Sequence, residues 1–169
     1  YHAWSHRQWV LKTYGLWDGE LEVVDELLTQ DVRNNSAWNQ RWFVIDNTSG
    51  RTPEVVAREI AYAFAKIKVA IDNESPWNYL RGLMRVKGEA AAGGGGHAWQ
   101  FGEYPQVKEK LLAMRATEAG AECIPLLGLL FEIFAAEGAT EDALGVAGLL
   151  IMLDTVRAPY WTQRQAQLS

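Results

Sequence analysis

The sequence predicts an all-α protein, a solenoid (crescent) of antiparallel helical hairpins that stack into an α-α superhelix. Trp4, Trp38 and Trp77 recur along the chain at intervals of 34 and then 39, and the first two lie within the pattern A-W-x-x-R. An internal repeat of this length is typical of helical-hairpin arrays. No run of alternating apolar and polar residues lies between hairpin turns, so we predict no strand.

The first unit shows the plan of each predicted hairpin. Its first helix, HAWSHRQWVLKTY, should end near Gly15, because glycine readily adopts the left-handed conformation that closes a helix. Asp18 is predicted to cap the second helix, and Glu20 suits the positive dipole at its start. Apolar residues then follow at steps of three and four and form one stripe: Leu21, Val24, Leu27 and Leu28.

The second unit repeats this plan after the motif N-x-x-x-W. Residues Asn34 to Ser36 supply the predicted cap, and AWNQRWFVI the first helix. Thr52 is predicted to cap the second helix, with Pro53 at its first position, and this helix should run to about Ile71. It is longer than its counterpart, which accounts for the wider interval between the second and third tryptophans.

The repeat becomes less regular along the chain. Ser75 and Pro76 open a third unit, in which Leu80 stands where an arginine is expected, and a fourth, weaker copy holds Trp161 and Arg164. We interpret the repeated Trp and Arg as structural. The indole fills the space between hairpins, and the guanidinium can reach carbonyls or an acid on the next unit.

The remaining chain contains an insertion and four further predicted helices. Residues 88–102 are glycine-rich and should be exposed and flexible. Helices are predicted from Pro105, over about 123–136 and 141–154, the latter capped by Thr140 after Gly138, and from near Pro159. The whole chain, 1–169, is predicted to form a single domain.

Composition excludes several classes of function. The chain has 169 residues, a net charge of −5 and scattered basic residues, which argues against a nucleic-acid surface. Its one cysteine, Cys123, cannot form an intrachain disulfide and is interpreted as a buried apolar residue in an intracellular protein. No apolar run reaches the length of a membrane-spanning helix.

The start of the first helix carries the candidate site. His2 lies in its first turn, where unpaired N–H groups and the helix dipole favour anions, and Tyr1 adds a hydroxyl. This pair could hold a phosphate or diphosphate. His2 and His6 also lie one helical turn apart, but a metal site needs a third ligand, and we predict no metal site in this chain.

The repeats resemble those of protein prenyltransferase α subunits, the family of protein farnesyltransferase and type I geranylgeranyltransferase. The resemblance is strong in YHAWSHRQWVLKTYGLWDGELEVVDELLTQDVRNNSAWNQRWFVI and in NESPWNYLRG, and faint but consistent as far as PYWTQR. It implies a crescent-shaped α subunit that wraps a β subunit. The heterodimer would transfer a farnesyl or geranylgeranyl group from its diphosphate to a C-terminal CaaX cysteine of protein substrates.

The resemblance also implies the cofactors and the site residues. Zinc would be bound by the β subunit and would activate the substrate thiol, and magnesium would accompany the diphosphate. Tyr1 and His2 match a Tyr-His pair that faces the prenyl diphosphate, where His2 would stabilise the leaving group. The family's assisting lysine would lie about one repeat upstream and is not in this sequence, so we expect the chain to be a fragment of a cytoplasmic enzyme.

Two alternatives remain open. A helical-repeat adaptor without catalytic activity would be a stable monomer that binds peptides on its concave face. The α subunit of Rab geranylgeranyltransferase has related repeats, although DVRNNSAWNQR fits the shared farnesyltransferase and type I subunit better.

Overall fold

A computed structural model describes residues 2–90 and 97–168. Before the glycine-rich segment the helices are α1 (His2–Tyr14), α2 (Glu20–Gln30), α3 (Asn35–Asn47), α4 (Pro53–Val69) and α5 (Glu74–Met84). They are followed by β1 (Arg85–Ala90), β2 (His97–Trp99), a 3-10 turn (Phe101–Glu103), α6 (Pro105–Arg115), α7 (Glu118–Ala121), α8 (Ile124–Glu137), α9 (Thr140–Leu153), a second 3-10 turn (Thr155–Arg157) and α10 (Ala158–Ala166). The predicted all-α fold of helical hairpins is confirmed.

The chain divides into two compact units, Tyr1–Leu83 and Met84–Ser169. Each unit has its own buried apolar side chains. In the first unit these include Val24, Leu28, Ile60, Phe64 and Ile67. In the second unit they include Leu111, Leu127, Phe131, Val146 and Leu150. The single domain predicted over residues 1–169 stays a prediction.

The first unit contains the two complete hairpins and the first helix of a third that the repeat predicts. Gly15 follows α1 with a φ of 67°, the left-handed conformation expected at a helix end. The Asn34 side chain accepts a hydrogen bond from the Ala37 N–H, and Thr52 accepts one from Val55. These two predicted caps are confirmed, and α4 is longer than α2, with 17 residues against 11.

The prediction that Asp18 caps α2 is wrong. The N-cap residue is Gly19, whose φ of 77° places it in the left-handed region, and no side chain caps this helix. The Glu20 N–H donates instead to the Trp17 carbonyl. A glycine at this position gives a tight entry to α2, and the Glu20 carboxylate is directed into the hairpin rather than towards its own helix start.

The second unit is built around the most apolar helix, α8, whose residues are buried on all sides over most of its length. Gly138 ends α8 with a φ of 71°, as predicted, but Thr140 begins α9 rather than capping it, since the cap position is held by Ala139. Among the described residues, no single helix has both the length and the apolar character needed to cross a bilayer. In the same part of the chain, α9 and the following segment Thr155–Ala166 meet both criteria when they are taken together. This pair is bent by 111°.

The prediction of no strand is wrong at one place. β1 and β2 pair as an antiparallel ribbon, with Arg85 opposite Trp99. The Arg85 guanidinium lies 5.5 Å from the Trp99 ring centre, and the Trp99 ring stacks on Phe101 at 4.9 Å. Phe101 is buried, so the exposure predicted for residues 88–102 does not extend to this end, while residues 91–96 lie outside the described part.

Candidate functional site

Each of the first two hairpins holds one buried glutamate that accepts hydrogen bonds from the helix before it. Glu20 accepts two from Arg7, at 2.8 and 2.7 Å, and Glu59 accepts two from Arg41, at 2.6 and 3.0 Å. The sequence predicted that these arginines reach an acid on the next unit. The acid instead lies on the second helix of the same hairpin, so the pair ties the two helices of one repeat together.

A third donor comes from the following repeat. The Gln40 amide donates to Glu20 at 2.7 Å, and the Tyr79 hydroxyl donates to Glu59 at 2.8 Å. In both cases the donor lies 20 residues after the glutamate. The glutamate is therefore a junction that connects its own hairpin with the next one, and the same geometry recurs in consecutive repeats.

Electrostatics keep both glutamates ionised. The Arg7 hydrogen bonds hold the pKa of Glu20 below its ordinary value of 4.5, against the opposing effect of burial. Burial raises the pKa of Glu59, but the hydrogen bonds and charge of Arg41 outweigh it, and the net pKa is lowered. Burial and the Glu59 charge raise the pKa of Tyr79, so its hydroxyl remains a donor.

Trp38 and Trp77 occupy equivalent positions in their repeats. The Trp38 indole donates to the Val32 carbonyl at 2.9 Å, and the Trp77 indole donates to the Ile71 carbonyl at 2.8 Å. Each acceptor lies six residues upstream. The indole thus fixes the turn that leads into its own hairpin, which confirms the structural interpretation of these two residues.

The weaker copies use related contacts. Leu80, which replaces the expected arginine, is fully buried, so the third unit has an apolar contact at this point. The Trp161 indole donates to the Asp154 carboxylate at 2.9 Å, and Arg164 forms two hydrogen bonds with Glu132, at 2.8 and 2.9 Å. The W-x-x-R pattern of α10 therefore also marks a Trp anchor and an Arg–Glu pair.

His2, the predicted diphosphate-stabilising residue, is the first residue of α1, and its side chain is exposed. Tyr1 lies outside the described residues, so its predicted contact with the diphosphate stays a prediction. Ser36 and Ser75 hold the same repeat position as His2, two places before Trp38 and Trp77 as His2 is before Trp4. The predicted site residue therefore stands at a helix start, where the first N–H groups have no partner within the helix.

No third ligand in the described part of the chain lies close enough to complete a metal site with His2 and His6. The His6 ring stacks on Trp9 at 5.9 Å. Among the described residues, no three His, Cys, Asp or Glu side chains come close enough together to bind a metal ion.

A groove of about 270 Å³ runs between α3 and α5. Its aromatic residues are Trp38, Trp42 and Tyr79, and its polar residues are Asn35, Asn39, Ser75 and Asn78. Gly82 faces Trp42 so closely that a Cβ there would lie 3.3 Å from the ring. The three asparagine side chains are exposed, and their amides can both donate and accept hydrogen bonds.

Sequence reasoning missed the buried glutamates and their third donors. A signal was present: Glu20 and Glu59 are separated by the same interval as Trp38 and Trp77, and so are Gln40 and Tyr79. Both glutamates also stand equally far from the ends of their helices, Gln30 and Val69. The repeat search used the tryptophan and its flanking residues, and therefore did not extend to the second helix.

The fold and this network define a protein of stacked helical hairpins in which a Trp anchor recurs at Trp38 and Trp77 and an Arg–Glu pair recurs in the first two hairpins. Residues 17–48 and 56–86 match the family described as protein prenyltransferase alpha subunit repeat. The chain therefore carries two copies of this repeat.

Curated relatives and a solved structure agree with this assignment. The chain is 38% identical over 164 residues to the protein farnesyltransferase/geranylgeranyltransferase type-1 subunit alpha of Dictyostelium discoideum, covering 94% of this chain and 47% of that protein. It is 39% identical over 84 residues to the geranylgeranyl transferase type-2 subunit alpha of Saccharomyces cerevisiae, covering 46% of this chain and 26% of that protein. The chain spans about half the length, or less, of these relatives.

The similarity in structure covers the entire chain. Candida albicans protein geranylgeranyltransferase-I complexed with GGPP is similar with a TM-score of 0.77 and 24% identity, over 100% of this chain and 53% of that one. At this identity the similarity establishes the fold.

Proposed function

We propose that this chain is part of the α subunit of a heterodimeric protein prenyltransferase. The enzyme would transfer a farnesyl or geranylgeranyl group from its diphosphate to a C-terminal CaaX cysteine of a protein substrate. The observation that carries the proposal is the similarity to the Dictyostelium discoideum subunit over nearly the whole chain. The repeated Trp and Arg–Glu geometry adds support, because it supplies the rigid helical scaffold on which such a subunit would present its helix ends.

In this proposal the β subunit supplies zinc to activate the thiol, and magnesium accompanies the diphosphate. His2 would donate a hydrogen bond to a diphosphate oxygen whose negative charge grows as the carbon–oxygen bond breaks. Such a bond is stronger in the transition state than in the ground state, so it accelerates the chemical step. The exposed position of His2 at a helix start is compatible with this role. A cytoplasmic location belongs to the same proposal.

The test uses a chimeric subunit in which this chain replaces the matching region of the Dictyostelium discoideum α subunit, assembled with the β subunit. His2→Ala should slow single-turnover prenyl transfer roughly 10- to 100-fold, since a lost charge-assisted hydrogen bond is worth about 1.5–3 kcal/mol. Affinity for the prenyl diphosphate should fall less. Ser36→Ala, at the same repeat position, is the matched control and should leave the rate unchanged.

A transfer rate unchanged by His2→Ala would remove His2 from the mechanism. Failure of the chimera to transfer any prenyl group, with the heterodimer assembled, would count against the function itself.

The similarity to the Saccharomyces cerevisiae type-2 subunit favours a second candidate. A type-2 enzyme would geranylgeranylate Rab-type proteins rather than CaaX peptides. A second chimera, in which this chain replaces the matching region of the Saccharomyces cerevisiae type-2 subunit, separates the two, because only the type-1 chimera should be active under the first proposal and only the type-2 chimera under the second.

A further inference from the structure

Helix α9 presents an apolar surface to solvent in the second unit. One side of this helix packs into the unit through its buried residues Ala143, Val146, Ala147 and Leu150. The opposite side follows steps of three and four, so its residues share one stripe. These are Gly145, Gly148, Leu149 and Met152, which we call the outer face of α9. Met152 is 67% exposed. No residue in the span 143–153 carries a charge, so the outer face is apolar over about three turns.

The two glycines of the outer face are not explained by contacts within the chain. A Cβ at Gly145 or at Gly148 would meet no atom within 4 Å, so no neighbouring element requires a missing side chain. Neither glycine has a positive φ, and glycine weakens the interior of a helix relative to alanine. Their effect on the surface is to leave two shallow depressions beside the side chains of Leu149 and Met152.

The outer face is complementary to a second copy of itself in the antiparallel orientation. Gly145 and Met152 lie equally far from the middle of the stripe, and so do Gly148 and Leu149. When two such helices pack antiparallel about a twofold axis at this midpoint, each protruding side chain of one copy lies over a glycine of the other. Met152 would then fill the depression at Gly145, and Leu149 would fill the one at Gly148.

The charges at the two ends of α9 favour the same orientation. Glu141 and Asp142 stand in its first turn, and Arg157 follows its last turn. The Arg157 side chain is 54% exposed, and its Nε pairs with Asp154 at 2.7 Å, which holds the cation at this end. The antiparallel arrangement brings the acids of one copy towards the arginine of the other, and the two helix dipoles oppose each other. A parallel pair would bring the acids together, and anionic lipids would repel them.

We infer that the outer face of α9 is a self-association surface through which two copies of this chain pair as an antiparallel dimer. With 14 residues α9 is about 21 Å long, so the contact is smaller than a standard protein interface of about 800 Å² per partner. The dimer is therefore weak, with a dissociation constant on the order of 10–100 µM. The inference does not depend on the proposed transferase activity.

Sedimentation equilibrium of the whole chain, at about 5 to 500 µM, measures this association. The chain should pass from monomer to dimer over this range. Met152→Glu should raise the dissociation constant at least about tenfold, because it places a charge in an apolar contact and close to Glu141 of the other copy. Val69→Glu is the matched control, since Val69 is 72% exposed and lies in the first unit, and it should leave the dimer unchanged.

Gly145→Leu tests the same surface without adding a charge. Leucine is a good helix former and would meet no neighbour inside the chain, so circular dichroism should show a fold at least as stable as the original. Because the new side chain fills the depression that receives Met152, the dissociation constant should rise about tenfold or more. A chain that stays monomeric at the highest concentration, or a dimer that either variant leaves intact, overturns the inference.

Disulfide cross-linking tests the orientation. In an antiparallel pair Gly145→Cys of one copy lies beside Met152→Cys of the other, so a mixture of the two variants should form linked dimers roughly fivefold faster than either variant alone. Cys123 is buried and is present in every sample. Faster linkage of either variant with itself would indicate a parallel pair and overturn the inference. Co-sedimentation of the chain with phosphatidylcholine vesicles, if Met152→Glu abolished it, would assign the outer face to a bilayer and overturn the inference as well.

Discussion

At the scale of single residues, the buried glutamates carry the largest energetic consequences. Glu59 is fully buried and is surrounded by donors from Arg41, Tyr79 and Arg58. An ion pair removed from water gains little net stability, but the loss of one partner leaves an uncompensated buried charge. The stability lost on substituting one partner here therefore depends on the charge that stays buried without that partner.

The two arginines of the repeat should differ in their contribution to stability. The Arg41 side chain is 8% exposed and that of Arg7 is 45% exposed. Arg41→Ala should lower the free energy of unfolding by about 3–5 kcal/mol, because Glu59 remains buried without its main partner. Arg7→Ala should cost only about 1–2 kcal/mol, since solvent can replace part of the lost contact. Urea denaturation measures both, and equal losses would contradict this account.

The lowered pKa of Glu59 predicts a dependence of stability on pH. A carboxyl group with a pKa lower in the folded than in the unfolded state contributes stability above the unfolded value, near 4.5, and loses it as pH falls through the folded value. Stability should therefore decrease from about pH 5 downwards. Glu59→Gln should be less stable at pH 7, and its stability should decline less steeply with acid. Urea midpoints between pH 3 and pH 7 test this, and parallel profiles for the two proteins would refute it.

At the scale of elements, much of the helical plan can be predicted from sequence. Asn34 and Thr52 carry side chains that cap a helix, and Gly15 and Gly138 supply the left-handed ends, so local chemistry specifies these boundaries. Gly19 was missed because the Asp18 beside it has the stronger preference for a cap. The exposed position of His2 follows from its place at the start of α1, which the sequence does predict.

Other features depend on contacts between distant residues. The strand β1 was missed because its stability comes from pairing with β2 and from the Arg85–Trp99–Phe101 stack, not from an alternating pattern. The acceptors of Arg7 and Arg41 were assigned to the wrong helix for a similar reason. Spacing identifies a repeat, but the fold decides which of several acids lies within reach.

Glycines of the second unit give a matched set of substitutions. A Cβ at Gly120 would lie 1.9 Å from the Met114 carbonyl oxygen, so the backbone of α7 would have to move. Gly145 in α9 has no atom within 4 Å of that position. Gly120→Ala should therefore lower the free energy of unfolding by at least about 2 kcal/mol, whereas Gly145→Ala should raise it by roughly 0.5–1 kcal/mol.

Thermal and urea unfolding of the two glycine variants, monitored by far-UV circular dichroism, measure these effects. A tolerated alanine at Gly120 would show that α7 can shift without cost. A destabilising alanine at Gly145 would show that this exposed helix position has a role beyond helix propensity.

At the scale of the whole molecule, the residues that fix the hairpins and the residue proposed to act on the diphosphate stand at different positions of the repeat. Trp38, Trp77 and the Arg–Glu pairs fix the hairpins from within, and the residues two places before each repeated tryptophan lie outside this network. His2, Ser36 and Ser75 stand at one repeat position, where the two serines carry a short hydroxyl group and His2 carries a longer imidazole ring. If the proposed role of His2 holds, the residue at the helix start can change while the residues that fix the hairpins stay the same.

The proposed division of labour between subunits leads to the last prediction. If the partner subunit activates the thiol, neither this chain nor the chimeric α subunit should transfer a prenyl group by itself. Radiolabelled transfer to a peptide ending in CaaX should appear only when the chimera and the β subunit are mixed, and should saturate at an equimolar ratio. His2→Ala should saturate at the same ratio with a lower rate, because one exposed side chain at the edge of an interface seldom controls assembly. Transfer by the α chain alone would contradict the proposal, and a shifted saturation ratio would make His2 an assembly residue.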